Sequence, residues 1–596
     1  MPRGFRFLAF ALLCLLPFQA AWGEYGQVAK SPMPRIEGEM HAGIVWRIAT
    51  DYRGRYLASV GGDKTLRIWS LRDGRLLKVL RVPIGQGAEG KLFAVAVSPD
   101  GAKVAVGGLT GWAWEQKISI YLFDFKSGEI TRRIPNLPGV VSHLAFSRSG
   151  NYLAAVTAKE SELRVYRAAD GALLARDKSY GDYVNWVDFD PSGRLVTASE
   201  DGFLRLYDAS YRLSAKKDLG KGKPYSAQFS PDGRRILVGF RNLARIMVFS
   251  GKDLKALQVP DTTGVTRNLR AVAWSRDGRS ILAAGSHWSK GMRAVRRWSE
   301  RGVGAFVDFP ASKSTITHIL ALPNGRVAYA SADPAVGLLD AQGFPVFHNG
   351  RATAAFQRIG QRLLISPDAT QVQFGYDPGG GSPAHFSVRH LQLQQGKGGG
   401  GGETKASGLS GNQKNQAKGQ KGWLAPLTQH PKVEIKGLDK GKVVHVNGRE
   451  LELKRNEVVH SVAIAPNGRF FLLGSSFYLR LYARNGREMW KYAAPGPTWG
   501  VNLSQDGKLA VAAFGDGTIR WFRIGHQKEL LAFFPHYDKK RWVVWTPQKY
   551  FAASPGAEEL IGWHVNRGRG RAAYFHPSSS FGKTYNRPDV IKKLLR

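Results

Sequence analysis

The sequence predicts an all-β protein assembled from repeats, on three observations: a strand–turn–strand phrase recurring along most of the chain, a period suited to a four-stranded sheet, and a high glycine content. The phrase joins an alternating apolar strand, a tight turn of the Ser-Pro-Asp-Gly kind and a second apolar strand. Its turns begin at Asp51, Ser98, Ser147, Asp190, Ser230, Ser275, Leu322, Ser366, Ala465, Ser504 and Thr546, and successive starts as far as Leu322 lie 40 to 49 residues apart. That is the span of one propeller blade. Pro99, Asp100 and Gly101 show the turn chemistry, as do Pro231, Asp232 and Gly233. Proline presets the first turn angle, aspartate bonds back to the backbone and glycine takes the positive φ.

After each turn comes a strand rich in small residues, such as Val104 to Gly108 or Ile281 to Gly285. A third strand with a large aromatic follows, as in Leu66 to Trp69, Ile118 to Phe123 or Leu204 to Tyr207. Alternation reads as strand, and no stretch keeps the 3.6-residue period of a helical repeat. One such sheet cannot bury both faces, so the array must close into rings. The seven starts from Asp51 to Leu322 predict a seven-bladed propeller over residues 41–348. The four later starts, with a hidden unit around Val433 to Leu453, give five recognisable units over residues 349–570. The expected architecture is therefore tandem β-propellers, the second of five or more units.

Three stretches fall outside the repeats. Residues 396–422 hold five consecutive glycines among Lys and Gln and read as a basic low-complexity insertion. They lack the Gly-Lys-Ser/Thr ending of a phosphate-cradling loop. The last unit, with strands near Trp542 to Trp545, Phe551 to Ala553 and Leu560 to Val565, wants an outer strand, and the lead segment 24–40 offers one in residues 33–40. Residues 571–596 read as a tail in which Pro588 to Leu595 forms a short docking helix.

The N-terminus has basic Arg3 and Arg6, an apolar run from Phe7 to Leu16, and small residues at Ala21 and Gly23. This is the pattern of a signal peptide over residues 1–23, and it predicts export to a periplasm or beyond the cell. The single cysteine, Cys14, lies inside that segment, so thiol catalysis and thiolate metal sites are excluded from the mature chain. No other apolar run approaches the ~20 residues a spanning helix needs, so no transmembrane span is expected after cleavage. The formal charge of +40, from 86 Lys and Arg against 46 Asp and Glu, is spread along the whole chain. It predicts a cationic surface attractive to anionic polymers, without the concentration of a specific nucleic-acid reader.

In the first unit His41, Ser59, Asp63 and Trp69, followed by Ser70, fall where the WD-repeat family places its structural hydrogen-bond tetrad; the sequence resembles that family over most of residues 41–567. Later units keep fragments, Thr197, Asp201 and Tyr207 in one, Asp516 and Phe522 in another. Near the C-terminus, Trp545 to Pro547, Tyr550 to Gly556, Ile561 to Gly568 and Tyr585 to Val590 resemble the propeller-ending segment of bacterial WD-repeat proteins that often continue into a caspase-like peptidase domain. That resemblance implies a propeller relative of those proteins without the peptidase, whose cysteine has no counterpart in the mature chain.

His41, Ser59 and Asp63 could pass for a nucleophilic triad, but the partner Trp69 and the spacing favour a blade-pinning role. His143, His318, His430, His460 and His536 stand apart from one another without metal-ligand spacing, and no metal or cofactor is expected. Gly486 to Trp490 resembles the blade motif of quinone-dependent dehydrogenase propellers, yet occurs once. Trp112 and Trp114, in a long loop of the second blade, and Trp288, in a similar loop of the sixth, are candidate binding anchors. The leading expectation is an exported, non-catalytic scaffold for a protein or peptide. A second is a binder of an anionic envelope polymer or membrane surface, and a third an enzyme with a site in a propeller channel.

Overall fold

The computed structural model describes residues 28, 31–396, 422–439, 441–454 and 456–595; residues 1–23, expected as a signal peptide, and most of the glycine-rich insertion lie outside them. The described chain is all-β, most of it in four-stranded antiparallel sheets.

Seven four-stranded sheets follow one another over residues 45–349, each paired in chain order. Their innermost strands, Val45–Thr50, Lys91–Val97, Val140–Phe146, Val184–Phe189, Pro224–Phe229, Ala271–Trp274 and Ile316–Ala321, lie side by side in that order, and the last returns to the first. Among the described residues no strand is exchanged to close this circle. Instead Thr317 Oγ1 donates to the Val45 carbonyl (2.6 Å), the Ile48 N–H to His318 Nδ1 (3.1 Å) and Asn349 Nδ2 to the Gly74 carbonyl (2.6 Å). Beneath these bonds Met40, Ile48, Trp69, Leu322, Val336 and Leu338 share one buried core.

The turns behave as their chemistry demands. Ser98 Oγ donates to Asp100 (2.5 Å), whose carboxylate accepts the Ala102 N–H (2.9 Å), and Gly101 takes a φ of 78°. The same Ser–Asp bond recurs at Ser230, Ser275, Ser366 and Ser504.

The second array departs from chain order. The sheet over residues 435–450, made of three two-residue strands, shares a core with that over 459–493, which packs on the next, starting at Thr498. That sheet packs in turn on the earlier one, residues 364–395. Phe386 stacks on Phe533 at 3.9 Å and Trp521 Nε1 donates to the Ala369 carbonyl (2.7 Å) across this joint. The turn Gly360–Arg362, flanked by buried Ile359 and Leu363, lies against Val459–Ile464 and Thr498–Leu503 and fills the space between them.

Two expectations are corrected here. Trp542–Trp545 and Phe551–Ala553 do not form a sheet with Ile561–Val565. They extend the preceding one to six strands, because the eight-residue strand Lys528–Pro535 pairs on both sides, with Ala532 opposite both Arg520 and Trp545. Phe533 and Phe534 in that strand are fully buried, so its outer edge never faces water. The segment from residue 571 is also more than a tail: Tyr574–Pro577 is a strand, ahead of the helix Pro588–Lys593 with its buried Ile591.

Ile561–Val565 lies between Tyr574–Pro577 and Met33–Ile36, the latter in antiparallel register with Ile36 opposite Ile561. This small sheet sits on the rim of the first circle. Arg67 Nη2 lies 2.6 Å from the Glu37 carboxylate, Arg81 pairs with the same carboxylate, and Asn566 exchanges two hydrogen bonds with the backbone of Ile84 (2.8 and 3.0 Å).

Candidate binding face

The structure brings His41, Ser59, Asp63 and Trp69 together. His41 Nδ1 meets Asp63 at 2.9 Å and His41 Nε2 meets Ser59 Oγ at 2.8 Å, while Trp69 Nε1 donates to the same Oγ at 2.7 Å. Asp63 also accepts from Thr65 Oγ1 (2.9 Å) and from the Ala42 N–H (3.3 Å). Burial pushes the Asp63 carboxyl up, but His41 and Arg67 outweigh it and hold it well below the usual carboxylate range. His41 and Ser59 are wholly buried, so the Ser59 hydroxyl is closed off from any substrate. The four side chains tie the loop entering the blade to the turn between its second and third strands.

The three tryptophans part company. Trp112 opens the short helix Trp112–Glu115 and is 49% exposed, and Trp288 is 47% exposed. Trp114 is buried against Gly85, which removes it as a contact anchor. The cause is the helix, whose backbone N–H groups of Gly111 and Ala113 bond the Glu89 carboxylate (2.5 and 3.0 Å) and turn the second indole inward. Trp288 stands near the tip of a hairpin formed by Ile281–Ser289 and Met292–Trp298, with the Arg293 guanidinium 4.8 Å from its ring centre.

Between these loops lies the mouth of the first circle, whose residues single-motif reading missed. The innermost strand of six of the seven sheets shifts register once, at Trp46, Phe93, Ser142, Asn185, Tyr225 and Thr317. A bulge re-aims a side chain. Each stands five positions before its repeat's turn start, and in the remaining repeat that position is Arg270. Taking this one position from every repeat is the sequence signal that would have found the ring of residues.

The next residue along fills the axis. Arg47, from the first sheet, donates to the Tyr225 hydroxyl (3.1 Å) and to the Asn185 carbonyl (3.2 Å) on the far side. His143 stacks on Trp186 at 4.0 Å and meets His318 edge-on at 6.4 Å. Side chains from opposite blades thus meet across the axis of the first circle and close it there. Among the described residues no three His, Cys, Asp or Glu gather as a metal site, and no helix is long and apolar enough to cross a membrane.

This plug sets a pH dependence. Burial, and then the Arg47 charge, hold His143 and His318 well below the ordinary imidazole value, so both are neutral. His460 and His564, lowered by burial to about 4 and about 3, act in the same direction. The unfolded chain takes up these protons near pH 6.5 and the folded one does not. Stability is therefore complete above that pH and is lost as pH falls, at up to about 1.4 kcal/mol per pH unit per histidine. Asp188, raised to about 7 by burial, opposes this, since its contribution is lost as pH rises. The melting temperature is expected to drop between pH 7 and pH 5, and His143→Phe to flatten that slope; an unchanged slope would remove His143 from the account.

The fold and this arrangement define a β-propeller whose first circle is filled along its axis. The chain carries WD repeats: residues 35–70 and 174–208 match the family described as WD domain, G-beta repeat. It is similar to the p21-activated protein kinase-interacting protein 1-like of Danio rerio, 33% identical over 174 residues, which is 28% of this chain and 42% of that protein. It is also similar to WD repeat-containing protein 1 of Bos taurus, 27% identical over 191 residues, 31% of this chain and 30% of that protein. Autophagy-related protein 16 of Arabidopsis thaliana is 25% identical over 262 residues, 41% of this chain and 46% of that protein. The chain spans less than half the length of each of these three relatives.

Proposed function

We propose that this chain is an exported, non-catalytic scaffold that holds a protein or peptide partner on the loop face of its first propeller. The observation that carries the reading is the filled axis beside a half-exposed tryptophan on a projecting hairpin. With the centre occupied, contact falls to the rim, and an indole braced by a guanidinium is a rigid anchor of the kind that dominates interfaces. Export rests on the basic and apolar N-terminal pattern ending at Gly23.

The charge of +40 favours a second reading, an anionic envelope polymer or membrane surface as ligand. Salt separates the two, since a polyanion complex weakens steeply as salt rises. Trp288→Ala is expected to weaken capture of the partner from envelope extract by about 2 kcal/mol, roughly thirtyfold, at low and high salt alike. Capture that vanishes in high salt and ignores Trp288 would sink the scaffold reading in favour of the polymer.

A further inference from the structure

Among the described residues, two guanidiniums at the mouth of the first propeller have no carboxylate partner. Arg47 and Arg270 flank the Tyr225 ring, each with its Cζ 5.1 Å from the ring centre. Among the described residues Arg47 bonds only the Tyr225 hydroxyl and a backbone carbonyl. The Nε atoms of both are buried without a hydrogen-bond partner among the described residues. A buried cation is normally paired, because leaving water costs several kcal/mol that only an opposite charge or full hydrogen bonding returns. Beside them Arg241 and Lys223 are exposed and share the single carboxylate of Glu200, at 2.5 and 3.9 Å. Four cations thus face one anion.

Tyr225 reports the same field. Burial pushes its phenol up, yet Arg47 and Arg270 outweigh that and leave it lowered. The mouth therefore offers a partly exposed guanidinium fork, a hydroxyl and a second exposed guanidinium, over a floor closed by the channel plug.

We propose that this mouth receives a carboxylate of an acidic segment of a partner protein, held by Arg270 and Arg241 against the Tyr225 hydroxyl. The guanidinium fork matches a planar carboxylate. The closed floor admits an end group or side chain and stops a polymer from threading the ring. Glu200 penalises a doubly charged phosphate more than a singly charged carboxylate, and Trp46, Phe93 and Trp288 on the same face suit apolar neighbours of an acidic residue. The proposal rests on the loop-face reading above and names what that face selects.

The test is calorimetric titration of the full chain with hexaglutamate blocked at both ends, with hexaglutamine and inorganic phosphate as comparisons. Hexaglutamate is expected to bind and hexaglutamine not. Arg270→Gln should weaken binding roughly tenfold or more, the scale of a charge-assisted hydrogen bond. Lys252→Ala, on the opposite face, should leave it unchanged. Ligand binding should also move the Tyr225 phenol upward in an ultraviolet titration, a signal absent from Tyr225→Phe. Should Arg270→Gln fail to fold, the exposed Arg241→Gln carries the same expectation. Equal binding of hexaglutamine, indifference to both arginine variants, or displacement by equimolar phosphate would overturn the proposal. Capture that still depends on Trp288 would then leave the scaffold reading standing, whereas hexaglutamate binding without such capture would support this site and remove that reading.

Discussion

Glu37→Ala is expected to lower the stability of the folded chain by about 3–5 kcal/mol, the usual consequence of taking one partner from a buried ion pair. The Arg67 side chain is 1% exposed and Arg81 9%, and both depend on this one carboxylate, with Asp63 a more distant 3.7 Å from Arg67. Alanine would strand two guanidiniums between the first blade and the small sheet on its rim. Denaturant unfolding of the full chain measures the loss, and Glu37→Gln should recover part of it by accepting hydrogen bonds without charge. Deleting residues 33–40 goes further, since Ile561–Val565 then loses its antiparallel neighbour and the second array should melt earlier. Unchanged melting of that half would show that the N-terminal strand holds nothing together.

Asp63→Ala is the second large effect, again about 3–5 kcal/mol, because it frees His41 and Thr65 inside a closed blade and takes a counter-charge from Arg67. Its pH signature follows from the sign of the shift. A carboxyl lowered on folding contributes stability that is present above its unfolded pKa, near 3.8, and is lost as pH falls toward the folded value. The gap between variant and parent should be widest at neutral pH and should narrow in strong acid. Partner affinity of the folded fraction should not change. A variant that folds normally and loses only binding would contradict the blade-pinning role of the tetrad.

The legible parts of this protein were those written within one blade. His41, Ser59, Asp63 and Trp69 lie within one repeat, so the resemblance to the WD-repeat pattern announces the network. Ser-Pro-Asp-Gly turns are equally local. The plug was not legible, because Arg47 meets Tyr225 and Asn185 only after the circle closes, and nothing near Arg47 in sequence marks the contact. Trp112 and Trp114 are two positions apart with the same chemistry, and a four-residue helix too short to show a period decides which one faces water. Trp542–Trp545 reads as strand in any setting; its neighbour is set by the length of Lys528–Pro535 and the burial of Phe533 and Phe534, which belong to packing rather than pattern.

The pairing of Met33–Ile36 with Ile561–Val565 has a consequence in time as well as in space. The first of these strands leaves the ribosome before every strand of the first propeller and its neighbour after all of them. Every strand of the first propeller lies between the two, so that ring can close while the earlier strand waits, as an unsatisfied edge exposed to wrong partners. Its brevity, with a proline at position 34 and a charge at position 35, makes it a poor template for such partners. Assembly thus ends when two strands separated in sequence by the whole first propeller are fastened to each other.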